Sequence, residues 1–271
     1  MRTLTEDFRR QVLSCLPADF PADTFTYLPS TDSTNSYLKR LAPAGIPGGT
    51  VVCASQQTGG RGRMGRSFLS PPDQGIYLSM LLRPQCTADA LMHLTCAVGV
   101  AMCDAVEKAA GFRPGIKWIN DLVFEKKKLG GILCELGLKP NGQVDYAIIG
   151  IGINCRQKET DFPEELRDKA ASLEMISGKT LSRSYLTACM ISALSEMSGH
   201  LIDGREEMLA QYRKDCVTLG QTVSVCRGNQ IRHGKALDVN REGALLVEFS
   251  PGQIEAVDSG EVSVRGMYGY V

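Results

Sequence analysis

The sequence predicts an α+β protein that ends in a small β-rich unit. Helical and extended patterns alternate to about residue 215, the pattern then becomes extended only, and turn signals divide the last fifty or so residues into five short runs. Residues 4–16 have apolar side chains at helical spacing behind Thr3 or Thr5 as a cap. Residues 30–41 open on Ser30-Thr31-Asp32-Ser33-Thr34-Asn35, a run rich in capping residues, and both segments read as bordering helices. Residues 50–55 and 75–82 are β-rich, so the Gly/Arg-rich segment between them is a loop joining two strands, free to move on a rigid base.

Residues 87–110 read as one long helix, capped by Thr87 and ended by Gly111 and Pro114. Strands are expected at 115–118, 128–138 and 144–154, the last almost continuously apolar and therefore central. Asn141-Gly142 marks a hairpin between the last two. Residues 163–177 and 182–216 read as helices, the second interrupted between Gly199 and Gly204. Beyond Gly220, strands at 222–227, 231–240, 244–249, 253–258 and 261–265 describe a small β-barrel, separated by turns at Gly228-Asn229, Glu242-Gly243, Pro251-Gly252 and Ser259-Gly260. A boundary placed at 219 gives units 1–219 and 220–271, with residues 1–27 a helical extension of the first.

Composition narrows the chemistry. The chain has 271 residues, 43% apolar and 22% charged, with 30 basic and 30 acidic side chains and a net charge of zero. No overall field attracts nucleic acid, so an anion is bound locally or not at all. Ten cysteines occur without a Cys-x-x-Cys pair and the N-terminus lacks the apolar core of a secretory signal, which together point to a reduced, cytoplasmic protein. No apolar run is expected to reach the roughly 18 residues of a membrane span. His93, His200 and His233 lie far apart, which disfavours a zinc cluster or a His-based triad.

Two segments carry the chemistry. Gln57-Thr58-Gly59-Gly60-Arg61-Gly62-Arg63-Met64-Gly65-Arg66-Ser67-Phe68 sets three guanidiniums and four glycines in one stretch. Glycine lets the backbone approach a ligand, and each arginine presents a rigid fork matched to carboxylate or phosphate oxygens. Alone it could be a solvated turn. The second segment is Lys117-Trp118-Ile119-Asn120-Asp121 followed by Lys128-Leu129-Gly130-Gly131-Ile132-Leu133. Lys117 alternates with apolar neighbours, where a lysine is costly to bury unless an anion meets it. Gly130 and Gly131 interrupt an apolar strand, as happens where a ligand or another backbone comes close. Lys126 and Lys127 read as a solvated hairpin tip.

Together these segments resemble the catalytic domain of biotin protein ligases. Asp32-Ser33-Thr34-Asn35 upstream and Gly150-Ile151-Gly152-Ile153-Asn154 downstream fall in the family's order, and the terminal β-rich unit has a suitable size. The resemblance spans roughly residues 28–271 and rests on the co-occurrence of spaced motifs. It implies a mixed β-sheet with packed helices, related to class II aminoacyl-tRNA synthetase catalytic domains, followed by an SH3-like barrel. It also implies activation of biotin by ATP to biotinyl-5′-AMP with release of pyrophosphate, then transfer to a lysine of a biotin carboxyl carrier protein domain of acetyl-CoA carboxylase or a related enzyme. ATP and biotin are then substrates and Mg²⁺ the implied metal.

Carried over by position, Arg61 and Arg63 would lie in the loop that orders over biotin and the adenylate, with Gly60, Gly62 and Gly65 permitting closure. Ser33, Thr34, Gln57 and Thr58 would line the biotin pocket, and Gly131 would leave room for the biotin rings. Phe68 stands where the family usually has tryptophan, beside the adenine. Lys117 would meet ATP phosphates, Asn120 would help place phosphate and Mg²⁺, and Asp121 would organise the metal side or receive the incoming lysine. Lys128 would reach the biotin carboxyl, Asn154 the adenine edge, and Arg265 would close on the nucleotide. Each has a structural alternative: Asn120 and Asp121 a turn, Asn154 a strand end, Ser33 and Thr34 a helix cap. Ile119 replaces the family's usual proline, which makes that turn less rigid.

Fewer than thirty residues precede the first matching motif, too few for the operator-binding domain of bifunctional relatives, so the expectation is a monofunctional ligase that binds no DNA. Homodimerisation stays open. Lipoate-protein ligase is the nearest enzymatic alternative, against which the Gly-Arg-Gly-Arg-x-Gly-Arg spacing counts. A non-catalytic biotin sensor or adaptor is the alternative of another class, against which the intact Lys117, Lys128, Arg61 and Arg63 count.

Overall fold

A computed structural model describes residues 2–258 and 262–266, with side chains from residue 5 to residue 258. Strands β1 (Phe25–Leu28), β2 (Thr50–Ala54), β3 (Gly75–Leu82), β4 (Gly115–Lys117), β5 (Asp121–Phe124), β6 (Lys127–Leu138) and β7 (Val144–Asn154) make a seven-stranded sheet in the order β1-β2-β3-β7-β6-β5-β4. β1 runs parallel to β2 and the remaining neighbours are antiparallel, so the sheet is mixed as expected. β3 and β7 are central and the most continuously apolar, which fits burial on both faces.

Alternation along these strands sorts two faces. Val51, Cys53, Leu78, Met80 and Ile149 turn toward the large core, filled by α1 (Arg2–Ser14), α3 (Leu94–Ala110), α5 (Arg183–Gly199) and α6 (Arg205–Asp215). Val52, Leu81 and Ile148 turn the other way, against Leu38 of α2 (Thr34–Leu41). α2 covers only part of that second face. The uncovered part is where the site forms.

Four expectations need correction. The helix over 87–110 is a 3₁₀ turn at Ala88–Leu91 followed by α3 from Leu94, because Thr87 bridges to Gln143 instead of capping a helix. The helix over 163–177 reduces to a 3₁₀ turn and the short α4 (Leu173–Ser177). Lys169 O accepts from Lys128 N and Ala171 N donates to Lys128 O, so strand-like pairing with β6 overrides helix propensity there. β1 and β5, four residues each, carry too short a pattern to be seen in the sequence. By length and composition the segment Ala88–Ala110, the 3₁₀ turn and α3 taken together, does meet the requirement for a membrane span; 72% of its apolar 18-residue stretch is buried and serves as core.

The C-terminal unit is a five-stranded antiparallel sheet of β8 (Thr222–Arg227), β9 (Gln230–Val239), β10 (Leu245–Ser250), β11 (Gln253–Val257) and β12 (Val262–Gly266), in the order β11-β10-β9-β8-β12. Val223, Val225, Ala236, Leu245 and Val247 form its interior, the strand composition expected for an SH3-like unit. The turn expected at Ser259-Gly260 lies outside the described residues. Arg213 of α6 ties the two parts, donating from Nε to Asp238 Oδ1 at 2.8 Å and from Nη2 to Val239 O at 2.7 Å.

Candidate active site

Glycines open the site. On the α2 face of the sheet Gly131 of β6 pairs in register with Gly152 of β7, and Leu133 pairs with Gly150. A Cβ on Gly150 would lie 2.0 Å from Asn35 Oδ1, and one on Gly152 would lie 2.5 Å from the Phe68 ring. These glycines lower the floor of a cavity of about 580 Å³, within the range of small-molecule sites.

A hydrogen-bonded chain sets one wall. Gln57 Oε1 accepts from Thr34 N at 2.9 Å and from Thr34 Oγ1 at 3.1 Å, while Gln57 Nε2 donates to Ser70 Oγ at 3.0 Å. Buried Ser79 Oγ lies 2.7 Å from Thr34 Oγ1 and 2.6 Å from Asn35 Oδ1, so its single proton serves one at a time. Asn35 Nδ2 continues the chain to Leu133 O at 3.1 Å and Glu135 Oε2 at 2.9 Å. Ser33 caps α2, its Oγ accepting from Ser36 N at 3.5 Å, and it also lines the cavity. Cap and lining role coexist there.

The arginine loop forms the roof. Gly62 N donates to Arg66 O at 2.7 Å and Phe68 N to Gly60 O at 2.9 Å, which folds residues 60–68 back on themselves. Gly60 is needed for close approach, since a Cβ there would stand 2.3 Å from Phe68 O. Gly65 takes φ +72° at the tip. Arg61 Nη1 lies 3.3 Å from Glu135 Oε1, a carboxylate that also meets Lys39 at 3.5 Å. With half of the Arg61 side chain exposed, that pair contributes no more than about 1 kcal/mol. Arg63 reaches across the cavity, its Nη1 donating to Asn120 Oδ1 at 3.1 Å. Burial pulls its pKa down while Asp121 counters, and a guanidinium stays charged regardless.

The opposite wall is the β4–β5–β6 corner. Lys117 stands opposite Asp121 in the β4–β5 register, and Lys128 Nζ lies 2.6 Å from Asp121 Oδ1. A Cβ on Gly131 would come 3.3 Å from Lys128 Nζ, so glycine there keeps the ammonium clear. Asn120 Nδ2 donates to Ile132 O at 3.0 Å, which fixes the amide and turns its oxygen to Arg63. The Trp118–Ile119 peptide bond is cis.

Six cationic side chains, Arg61, Arg63, Arg66, Lys117, Lys128 and Lys169, therefore line the cavity against one carboxylate, Asp121. In a molecule of zero net charge that asymmetry is local, as expected of a site for a polyanion. Among the described residues the lining has no histidine, cysteine or glutamate. Burial also pushes the nearby Cys134 thiol up to about 12, so no thiolate is available beside the cavity. The arrangement suits binding and charge stabilisation, with no built nucleophile.

Of the residues singled out by sequence, Ser33, Thr34, Gln57, Arg61, Gly62, Arg63, Phe68, Lys117, Asn120, Asp121, Lys128 and Gly131 line the cavity. Thr58 lies outside it, donating to Thr31 O, and Gly60 lies behind the roof. Asn154 is buried beneath Lys128, with Nδ2 donating to Ala171 O at 3.1 Å. Arg265 pairs through its backbone with Ser224, and its side chain lies outside the described residues. For the metal, Asn120 Oδ1 faces Arg63 and Asp121 Oδ1 faces Lys128, and no group of three or more His, Cys, Asp or Glu able to hold a metal occurs among the described residues. Mg²⁺ commonly uses only one or two protein oxygens beside substrate phosphates, which an Asn/Asp pair such as Asn120 and Asp121 can supply. Asn35, Arg66, Trp118, Ile132, Leu133, Gly150 and Gly152 stand in the motifs quoted from the sequence without an individual role and also line the cavity, whereas Lys169 stands in no such motif. Lys169 has no local signal, because the bridge between Lys128 and its neighbour Ala170 brings it there.

A mixed sheet thus carries a glycine-floored, cation-lined cavity under an arginine loop, an arrangement suited to holding an anionic substrate. Residues 27–154 match the biotin/lipoate A/B protein ligase family and residues 218–265 match the biotin protein ligase C terminal domain. The bifunctional ligase/repressor BirA of Bacillus subtilis is 34% identical over 86% of this chain and 71% of its own length. The biotin--[acetyl-CoA-carboxylase] ligase of Paracoccus denitrificans is 39% identical over 88% of this chain and 100% of its own. The biotin protein ligase from Aquifex aeolicus, solved in complex with biotin and ATP, aligns with a TM-score of 0.75 at 31% identity, covering 89% of this chain and 98% of that one. The chain belongs to the biotin protein ligase family.

Proposed function

We propose that the protein is a biotin protein ligase. A biotin carboxylate oxygen attacks the α-phosphorus of ATP, a phosphorus–oxygen bond forms, and pyrophosphate leaves. The ε-amine of an acceptor lysine then attacks the acyl carbon, the amide forms with loss of a proton, and AMP leaves. The single observation that carries this reading is the convergence of Arg63, Lys117 and Lys128 on one cavity of a chain with no net charge.

The residues have a division of labour. Lys128 and Lys117 offset the charge of the carboxylate and the α-phosphate as they meet, and Asp121 holds Lys128 in place until they arrive. Arg63, held by Asn120, closes the phosphate side, and Arg61 exchanges Glu135 for the ligand. The Gln57–Thr34–Ser79–Asn35 chain presents neutral donors and acceptors to the ureido end of biotin. Phe68 and Gly152 offer a flat surface to the adenine. Closure of the loop keeps water from the mixed anhydride. Asn154 would act through the strand end it fixes, and Arg265 from the C-terminal unit.

The acceptor is a biotin carboxyl carrier domain of acetyl-CoA carboxylase or a related enzyme, and the working compartment is the cytoplasm. The boundary near residue 219 divides the catalytic unit from the SH3-like one. Incubation with ATP and labelled biotin or labelled lipoate tests the reading: biotin-dependent exchange of pyrophosphate into ATP supports it. Adenylation of lipoate alone refutes it.

A further inference from the structure

The motif that faces the nucleotide is held in place from outside its own sheet. β4 is three residues long and lies at the sheet's edge, so its single strand partner gives Lys117 to Asp121 little support. The missing support comes from the other end of the chain. Val217 N donates to Ile116 O at 3.0 Å, Thr218 Oγ1 accepts from Trp118 N at 2.9 Å, and buried Tyr212 donates to Ile119 O at 3.3 Å. The indole Nε1–H of Trp118 donates to Gly243 O at 3.0 Å, a bond that crosses from the catalytic unit to the β9–β10 turn of the C-terminal one.

That turn is shaped for the contact. Asn240 Oδ1 accepts from Glu242 N at 3.1 Å and Ala244 N at 2.8 Å, which folds the turn tightly enough to aim the Gly243 carbonyl at the indole. Gly243 has φ +86°, and a Cβ there would meet Cys96 Sγ at 3.0 Å, at the start of α3. A side chain at 243 would be strained and crowded at once.

We infer that the Asn240–Ala244 turn of the C-terminal unit is a positioning element for the nucleotide-facing corner of the site, acting through Gly243 O on Trp118 and so on its neighbours Lys117 and Asn120. This rests on the ligase reading and assigns the C-terminal unit a role in ATP use apart from any contact of its own with the nucleotide. The hydrogen bonds of biotin's wall, built from α2, Ser79 of β3 and Gln57, involve no residue of the turn, so the two substrates separate the effect.

Trp118 is the single tryptophan of the chain and is nearly fully buried, so its fluorescence reports on this contact without labelling. The experiment uses the full chain with Asn240→Ala, Gly243→Ala and Trp118→Phe, following intrinsic emission for the first two and biotin-dependent ATP–pyrophosphate exchange for all three. Asn240→Ala is expected to shift Trp118 emission and raise KM for ATP about fivefold, the loss of roughly one neutral hydrogen bond, with KM for biotin unchanged. Trp118→Phe keeps a ring and loses the donor, and is expected to give the same split. Shifted emission with unchanged KM for ATP, or equal rises for both substrates, overturns the inference, also where Gly243→Ala does not fold. Absence of exchange in the unsubstituted protein would instead refute the ligase reading, so the two failures are distinguishable.

Discussion

Lys128 Nζ and Asp121 Oδ1 lie 2.6 Å apart on adjacent strands, with side chains 26% and 16% exposed. The pair stands at the centre of the cavity wall, where Asp121 is the one lining carboxylate among the described residues. It holds the Lys128 ammonium at the cavity wall, where an anion entering the cavity would meet it.

Lys128→Ala is therefore expected to lose both half-reactions. Removal of one preorganised charge of this kind costs about 10²–10³ in rate. Pyrophosphate exchange and single-turnover transfer from preformed biotinyl-5′-AMP measure the two steps separately. Normal adenylation by the variant would show that Lys128 has another role.

Arg63→Ala is expected to release adenylate into solution. A charge-assisted hydrogen bond of about 1.5–3 kcal/mol corresponds to faster leakage by roughly tenfold or more. Quantifying free biotinyl-AMP during turnover without acceptor checks this, and retention equal to that of the unsubstituted protein removes the assignment.

Gly150→Ala would force a methyl against Asn35 Oδ1, 2.0 Å from the ideal Cβ position. Overpacking at such a site costs about 1–3 kcal/mol. Urea denaturation should show that loss, accompanied by weaker biotin binding because Asn35 belongs to the chain that sets the pocket wall. A change under about 0.5 kcal/mol would mean the strands part more easily than the core packing implies.

His93 gives the pH dependence. Its Nε2 lies 2.8 Å from Leu201 O, Nδ1 is buried without a partner, and burial holds the pKa below the ordinary histidine value despite the raising effect of Leu201 O. The unfolded chain takes up a proton near pH 6.5 that the folded chain declines, so the stability His93 contributes is full above that pH and falls as pH drops through it. Stability should decline between about pH 7 and about pH 5, and less steeply in His93→Gln. Parallel slopes for the two proteins would contradict this.

Much of this architecture was legible in local pattern. β3 and β7 were delimited by continuous apolar runs, and α5 and α6 by the break at Gly199–Gly204. The arginine loop was identified as a strand connection because β-rich runs flank it. What escaped depended on long-range pairing. Residues 163–170 have helical composition, but hydrogen bonds between Lys128 and residues 169 and 171 bridge Ala170 to β6 and end the turn there, which also delivers Lys169 to the cavity. Likewise the sequence shows Lys117, Asp121 and Lys128 as separate points. Only the β4–β5–β6 register makes them neighbours.

The decisive measurement is a structure with biotinyl-5′-AMP bound, in which the phosphate is expected within hydrogen-bonding reach of Arg63, Lys117 and Lys128, and Arg61 turned from Glu135 to the ligand. An adenylate bound elsewhere, or bound here with those three cations pointing away, would contradict that placement.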